Sequence, residues 1–242
     1  MSPRSESYSS PSLILIPGLL CNQALWRNQI SGLAGRADIR VADITRQRTI
    51  SEMAVAVLET APASFSLAGF SLGSQVALEI MRIGKHRVDR LALLSATRGG
   101  LIPPVAVALR QAVATIETGG FEQYLEMAYP LYFAPARMAD FFLKRSFLAM
   151  AQAVGPEAGL RQMQALLAIT APFTDLNQIC CPTVIVGGHE DRRTPPASQE
   201  ALAQEIPGSE LVLVDAAAHF TPLEQPDRVT EILERWMSRE PR

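Results

Sequence analysis

Two kinds of apolar patterning alternate along the chain. Short apolar runs with few polar interruptions recur at residues 12–16, 39–44, 65–70, 90–95, 183–187 and 211–215. The uninterrupted run at 12–16 predicts a strand buried on both faces, as in a parallel sheet, and the others predict further strands. Between them lie helical patterns at 24–30, which carries Trp26 and Ile30 on one side, and at 51–58, with Ser51 as a predicted N-cap. Further helices are predicted through Met81, over 197–205 and over 227–236. Alternation of this kind predicts an α/β fold: a mostly parallel sheet of about six strands, right-handed crossovers, and helices on both faces.

The rhythm stops once. From 101 to 176 the pattern is helical throughout, rich in Ala, Leu, Met and Phe, with breaks expected at Gly119-Gly120, Pro130, Pro135, Gly155-Pro156 and Pro172. This predicts an α/β core formed by residues 1–100 and 177–242, with 101–176 inserted as a helical cap over the strand exits.

Composition narrows the partners. The chain has 242 residues, 48% of them hydrophobic, enough for one domain with a large core. Its 22 Lys and Arg against 24 Asp and Glu give a net charge of −2 with no basic stripe, so nucleic acid is excluded as a partner. No stretch approaches the roughly 20 apolar residues that cross a bilayer, and Met1 to Pro11 lacks the apolar core of a signal peptide. The expectation is a cytoplasmic protein, monomer or homodimer, acting on a small molecule without a membrane partner. Cys21, Cys180 and Cys181 make neither a disulfide framework nor a metal-ligand spacing and are read as small buried hydrophobes, so no metal and no cofactor is expected.

The most informative stretch is Gly69-Phe70-Ser71-Leu72-Gly73, where an apolar strand passes without a linker into a helix. The chain must reverse direction at Ser71. Strained backbone at that apex requires residues without side chains two before and two after it, and Gly69 and Gly73 meet the requirement. The turn lifts the Ser71 hydroxyl off the sheet and aims the first amides of the new helix at whatever bonds to it.

In a doubly wound sheet, chemistry belongs at the carboxyl ends of the strands. Those exits deliver Pro17-Gly18-Leu19-Leu20, then Ser71, then Thr97-Arg98, then Gly188-His189-Glu190-Asp191, then Ala216-Ala217-Ala218-His219. A serine, an acid and a histidine follow in that chain order. From Leu13 to about Trp236 the chain resembles the α/β-hydrolase family. Residues 13–20 resemble its first strand and oxyanion loop, 69–73 its nucleophile elbow, 188–195 its acid loop and 218–226 its histidine loop. The family commonly has His where this chain has Pro17, and the twelve residues ahead of the first strand leave no room for the family's N-terminal hairpin, so a shortened sheet is expected.

The resemblance implies a serine hydrolase: Ser71 as nucleophile, His219 as base, Asp191 as its acceptor, and the backbone N–H groups of Leu19 and Leu72 as oxyanion donors. His189 competes for the base, Glu190 and Asp215 compete for the acid, and His86, between Lys85 and Arg87, reads as a solvated residue. Trp26, Met127, Phe133 and Phe147 are candidate pocket residues, and Arg98 a candidate ligand for a substrate carboxylate. The expected reaction is hydrolysis of a small to medium carboxylic ester or lactone. A small-molecule receptor of the same fold, or a C–C bond hydrolase, thioesterase or perhydrolase, would use the same residues, and sustained turnover rather than a stalled burst separates enzyme from receptor.

Overall fold

The computed structural model describes residues 10–241. The reading of Met1 to Pro11 as no signal segment therefore lies almost wholly outside the described residues. Six strands form one parallel sheet in the order β2-β1-β3-β4-β5-β6. They are β1 (Ser12–Ile16), β2 (Asp38–Val41), β3 (Phe65–Phe70), β4 (Val88–Leu94), β5 (Thr183–Gly188) and β6 (Glu210–Val214). The helices are α1 (Arg27–Gly32), α2 (Ile50–Thr60), α3 (Leu72–Gly84), α4 (Pro103–Glu117), α5 (Phe121–Tyr132), α6 (Phe141–Val154), α7 (Pro156–Leu167), α8 (Pro196–Glu205), α9 (Thr221–Glu224) and α10 (Pro226–Met237).

Burial follows position in the sheet. The central strands β3 and β5 are buried along their whole length, whereas the edge strands β2 and β6 are only half-buried. Both edges carry charge: Asp38 and Arg40 on β2, and Glu210 on β6, which is paired with Arg235 and Arg239. Charge there discourages pairing with another strand. Helix α3 packs against β1, β3 and β4 with α2 beside it, while α10 packs against β4 and β5 with α1 beside it. The spacing of Val229, Ile232, Leu233 and Trp236 explains the second contact, since positions three, four and seven apart share one helical face and all four are buried.

From β1 the chain crosses to β2 on one side and returns to β3 on the other. The connections leaving the carboxyl ends of β1 and β3 therefore run in opposite directions, and it is outside such a pair of strand ends that open α/β sheets bind ligands. Register keeps the exits on one rim: Ile16 lies beside Gly69, Phe70 beside Leu94, and Gly188 beside Val214.

Between β4 and β5 the chain forms α4 to α7, each packed on the next. Gly119 and Gly155, both at positive φ, separate α4 from α5 and α6 from α7 as expected. Pro130 does not break α5; it sits inside the last turn, where only the bond to residue 126 is lost and the helix ends two residues later. The cap of α2 is Thr49 rather than Ser51. Thr49 accepts from the Glu52 amide at 3.1 Å, while Ser51, already inside the helix, donates its hydroxyl to Glu79. Cys21 is buried and Cys181 half-buried, but Cys180 is exposed, because it lies in the coil before β5. No helix among the described residues is long and apolar enough to cross a membrane.

Candidate active site

Ser71 sits at φ 52°, ψ −110°, a backbone conformation that costs a non-glycine residue of order 1–3 kcal/mol. Its surroundings enforce it. The Ser71 amide still donates to Leu94 O at 2.9 Å, as though β3 continued, and its carbonyl already accepts from Ser74 N at 2.9 Å as the start of α3. The two glycines serve different contacts. A Cβ on Gly69 would land on the Gly73 carbonyl, and one on Gly73 would land on the carbonyls of Ile16 and Pro17 at the end of β1. The elbow is therefore wedged against both its own helix and the neighbouring strand.

Three strand exits bring their polar residues together. Ser71 Oγ lies 2.9 Å from His219 Nε2, and His219 Nδ1 lies 2.9 Å from Asp191 Oδ2. Asp191 and His219 are 2% and 3% exposed, so the bond between them is screened from water, while the Ser71 hydroxyl reaches the cleft. Burial disfavours the charged form of Asp191, but the facing His219, with the bonds from His219 and Thr194, outweighs it and holds the carboxyl below its ordinary range. The backbone amides of Arg193 and Thr194 donate to Asp191 Oδ1 at 2.7 and 2.9 Å, which fixes the carboxylate in place. With Asp191 ionised, Nδ1 donates to it, leaving Nε2 to accept the Ser71 proton. The rivals lie elsewhere: His189 is half-exposed and faces Asp215 at 3.4 Å, and Glu190 and His86 are exposed.

Leu19 and Leu72 both border the cleft in front of Ser71, and their amides have no hydrogen-bond partner among the described residues. Leu72 is the first residue of α3, where an amide has no partner within the helix. Leu19 is free for a different reason. Gln162, fully buried on α7, accepts from Leu20 N at 2.9 Å and donates to Ile44 O, holding Leu20 at φ 55° and occupying the amide next to that of Leu19.

His219 is pinned from several directions. Its amide donates to Tyr132 O at the end of α5, and its carbonyl accepts from Ser95 Oγ at 2.7 Å. Glu224, 2% exposed, accepts from Ala218 N at 3.0 Å and Phe220 N at 3.1 Å, on either side of His219, and from Ala134 N at 2.7 Å beyond α5. Burial pushes the Glu224 carboxyl up to about 7, against the opposing pull of those three amides and Arg137.

The cleft is small, with a cavity volume of about 50 Å³, and is open at its mouth. Phe70, Tyr132 and Phe220 border it beside the histidine, and Ile102, Val105, Leu109 and Leu166 close it from α4 and α7 and the turn before α4. Gln75 also lines it; its Nε2 donates to Thr97 O at 3.1 Å, and its buried Oε1 has no partner among the described residues.

None of the five side chains expected in the pocket lines this cleft. Trp26 is fully buried in the core. Met127 is 50% exposed because the helical period turns it away from the face that buries Leu125, Ala128 and Tyr132. Phe133 stacks on Phe220 at 4.9 Å and Phe147 meets Phe220 edge-on at 5.5 Å, so both stand behind the ring that borders the space. Arg98 is tied to Glu205 on α8 at 2.6 Å. Tyr132, Arg193, Gln75, Gln162 and Glu224 were not legible as site residues. Two carried a signal: Arg193 lies within the 188–195 stretch and Glu224 within the 218–226 stretch.

Among the described residues no three His, Cys, Asp or Glu side chains converge as a metal site requires. Two curated relatives are similar along nearly their whole length. One is a protein of Agrobacterium fabrum whose name, RutD, is that of a proposed carbamate hydrolase, 28% identical over 90% of this chain and 89% of the relative. The other is a pimeloyl-acyl-carrier-protein methyl ester esterase of Nitrosomonas europaea, 22% identical over 91% and 93%. The fold also matches a thermophilic esterase from Thermogutta terrifontis, with a TM-score of 0.83 at 22% identity over 95% of this chain and 90% of the other. An enol-lactonase from Burkholderia xenovorans matches with a TM-score of 0.81 at 21% identity over 96% and 92%. Residues 13–232 match the Alpha/beta hydrolase family, and with its sheet order and strand-exit rim the chain belongs to that family.

Proposed function

We propose that this protein is a serine hydrolase that cleaves a small to medium carboxylic ester or lactone through an acyl-enzyme on Ser71. The observation that carries the reading is the unbroken chain from Ser71 Oγ through His219 to Asp191, with both bonds at 2.9 Å. The Ser71 oxygen attacks the carbonyl carbon as its proton passes to His219 Nε2. The oxyanion is held by the amides of Leu19 and Leu72, each such donor contributing on the order of 3 kcal/mol in the transition state. Collapse breaks the bond to the alkoxide, which leaves with the proton from His219. Water then attacks the acyl carbon, gives a proton to His219, and releases the acid as Ser71 regains its hydrogen. Asp191 keeps the imidazole oriented and stabilises its charged form.

In this reading residues 101–176 act as a lid. Apolar side chains from that stretch, Ile102, Val105, Leu109 and Leu166, cover the cleft in front of Ser71, and that cover favours a small molecule over a polymer. The relatives named for ester and carbamate hydrolysis support hydrolysis of a carboxylic acid derivative. A fluorophosphonate should add one label per chain, located at Ser71 by peptide mass mapping and absent from Ser71→Ala. Labelling that persists in Ser71→Ala would remove the nucleophile and the mechanism with it.

A further inference from the structure

Arg193 is the cation that borders the cleft, and it is placed unlike the other arginines near the site. Arg98 is paired with Glu205 and Arg137 with Asp140, but no carboxylate pairs with Arg193 among the described residues. Its one side-chain partner is Tyr132, whose ring lies 4.9 Å from the guanidinium carbon and whose hydroxyl lies 3.4 Å from a terminal nitrogen. The residue is held at both ends: its backbone amide donates to Asp191 Oδ1 at 2.7 Å, and the Tyr132 ring supports the guanidinium. A half-buried guanidinium fixed in this way, beside apolar residues such as Val105 and Leu109, has donors available and little ordering entropy left to lose.

We infer that the substrate carries a carboxylate at the end away from the scissile bond, and that Arg193, with the Tyr132 hydroxyl beside it, receives that carboxylate. One ring separates the two functions. The Tyr132 centroid lies 5.4 Å from that of His219 and 4.9 Å from the Arg193 guanidinium carbon. A chain of a few carbons therefore spans from an ester carbonyl at Ser71 to the arginine. The substrate class is the half-ester of a short dicarboxylic acid, or a lactone bearing a carboxylate on a short arm. The apolar wall of the cleft then takes the methylene chain between the two ends.

The inference rests on the hydrolase reading for its choice of ligand, and the test separates the two. Monomethyl glutarate is compared with dimethyl glutarate, which has the same chain with the anion capped. Kinetically, the wild type should prefer the half-ester by about ten- to hundred-fold in kcat/KM, carried mainly by KM, as expected for a charge-assisted pair. That ratio should fall close to one in Arg193→Gln and take an intermediate value in Arg193→Lys, which keeps the charge but loses the fork and the stack. In parallel, calorimetric binding of monomethyl glutarate to Ser71→Ala should weaken by a similar factor when Arg193→Gln is added. Binding that depends on Arg193 without turnover by the wild type upholds the arginine site and sinks the hydrolase reading. Turnover of both esters without preference, or binding indifferent to Arg193→Gln, overturns the arginine site and leaves the hydrolase reading standing.

Discussion

The rim of strand exits and the cap helices face each other across one cleft, and they are held by different means. On the rim, backbone fixes the geometry. Ser71 is clamped by Leu94 O on one side and Ser74 N on the other, Gly69 and Gly73 have no space for a Cβ, and the Asp191 carboxylate is held by two main-chain amides. On the cap, side chains do the positioning. Gln162 reaches from α7 to Leu20 and Ile44, Tyr132 packs beside His219, and Glu224 ties Ala134 to the histidine loop. A backbone clamp leaves no alternative conformation, whereas side-chain struts tolerate replacement at moderate cost. On the proposed mechanism the rim carries the chemistry and the cap the choice of substrate.

The largest effects should follow from breaking the rim. His219→Ala and Asp191→Asn should each lower kcat/KM by about ten-thousand-fold while circular dichroism and melting behaviour remain native-like, since the members of such a chain act as a unit. If His189→Ala is the crippling change instead, the base has been misassigned. Next in size is Gly69→Ala, whose methyl would meet the Gly73 carbonyl; it should destabilise the fold by more than about 3 kcal/mol in urea unfolding. A loss under about 1 kcal/mol would show that the elbow is not clamped by backbone contact.

Glu224→Gln sharpens the comparison, because Glu224 bridges the two regions. Activity should fall by roughly ten-fold, because a glutamine nitrogen cannot accept and costs either the Ala134 amide bond or the pair from Ala218 and Phe220 that flanks His219. Its pH signature has a definite sign. The folded-state carboxyl titrates at about 7 rather than at its ordinary 4.5, so its contribution to stability is fully present below about 4.5 and is lost as pH rises through about 7. The stability of the wild type relative to Glu224→Gln should therefore fall, on the order of 2 kcal/mol, between pH 5 and pH 8 in denaturant titrations. Asp191, held below its usual range, loses its contribution only on the acid side of that window. A flat difference would mean that the carboxylate is not strained by burial. The smallest effect belongs to Met127→Ala, on the outer face of α5, which should change neither stability by more than about 0.5 kcal/mol nor kcat/KM detectably.

Local patterning determined the sheet, the elbow and the order of the functional groups. Uninterrupted aliphatic runs mark strands, doubly covered in β3 and β5 and half-buried at the edge in β6, and Gly69, Ser71 and Gly73 are neighbours in sequence because the turn they build is local. Strand exits then placed Asp191 and His219 on the same rim, and the family resemblance selected among their rivals. The lining of the cleft was not local in this sense. The amphipathic helices of 101–176 offer apolar faces to one another and to the cleft alike, so Phe133 and Phe147 have the composition of pocket residues but pack behind Phe220. The two arginines make the same point with charge. Arg98 and Arg193 both follow strand exits, and nothing near either one in sequence tells which is neutralised. Glu205, brought in on α8, ties up the first, and Tyr132, brought in on α5, supports the second without cancelling its charge. A side chain's neighbours in sequence set the conformation of its backbone, but its availability to a ligand depends on partners that only the packing of distant elements supplies.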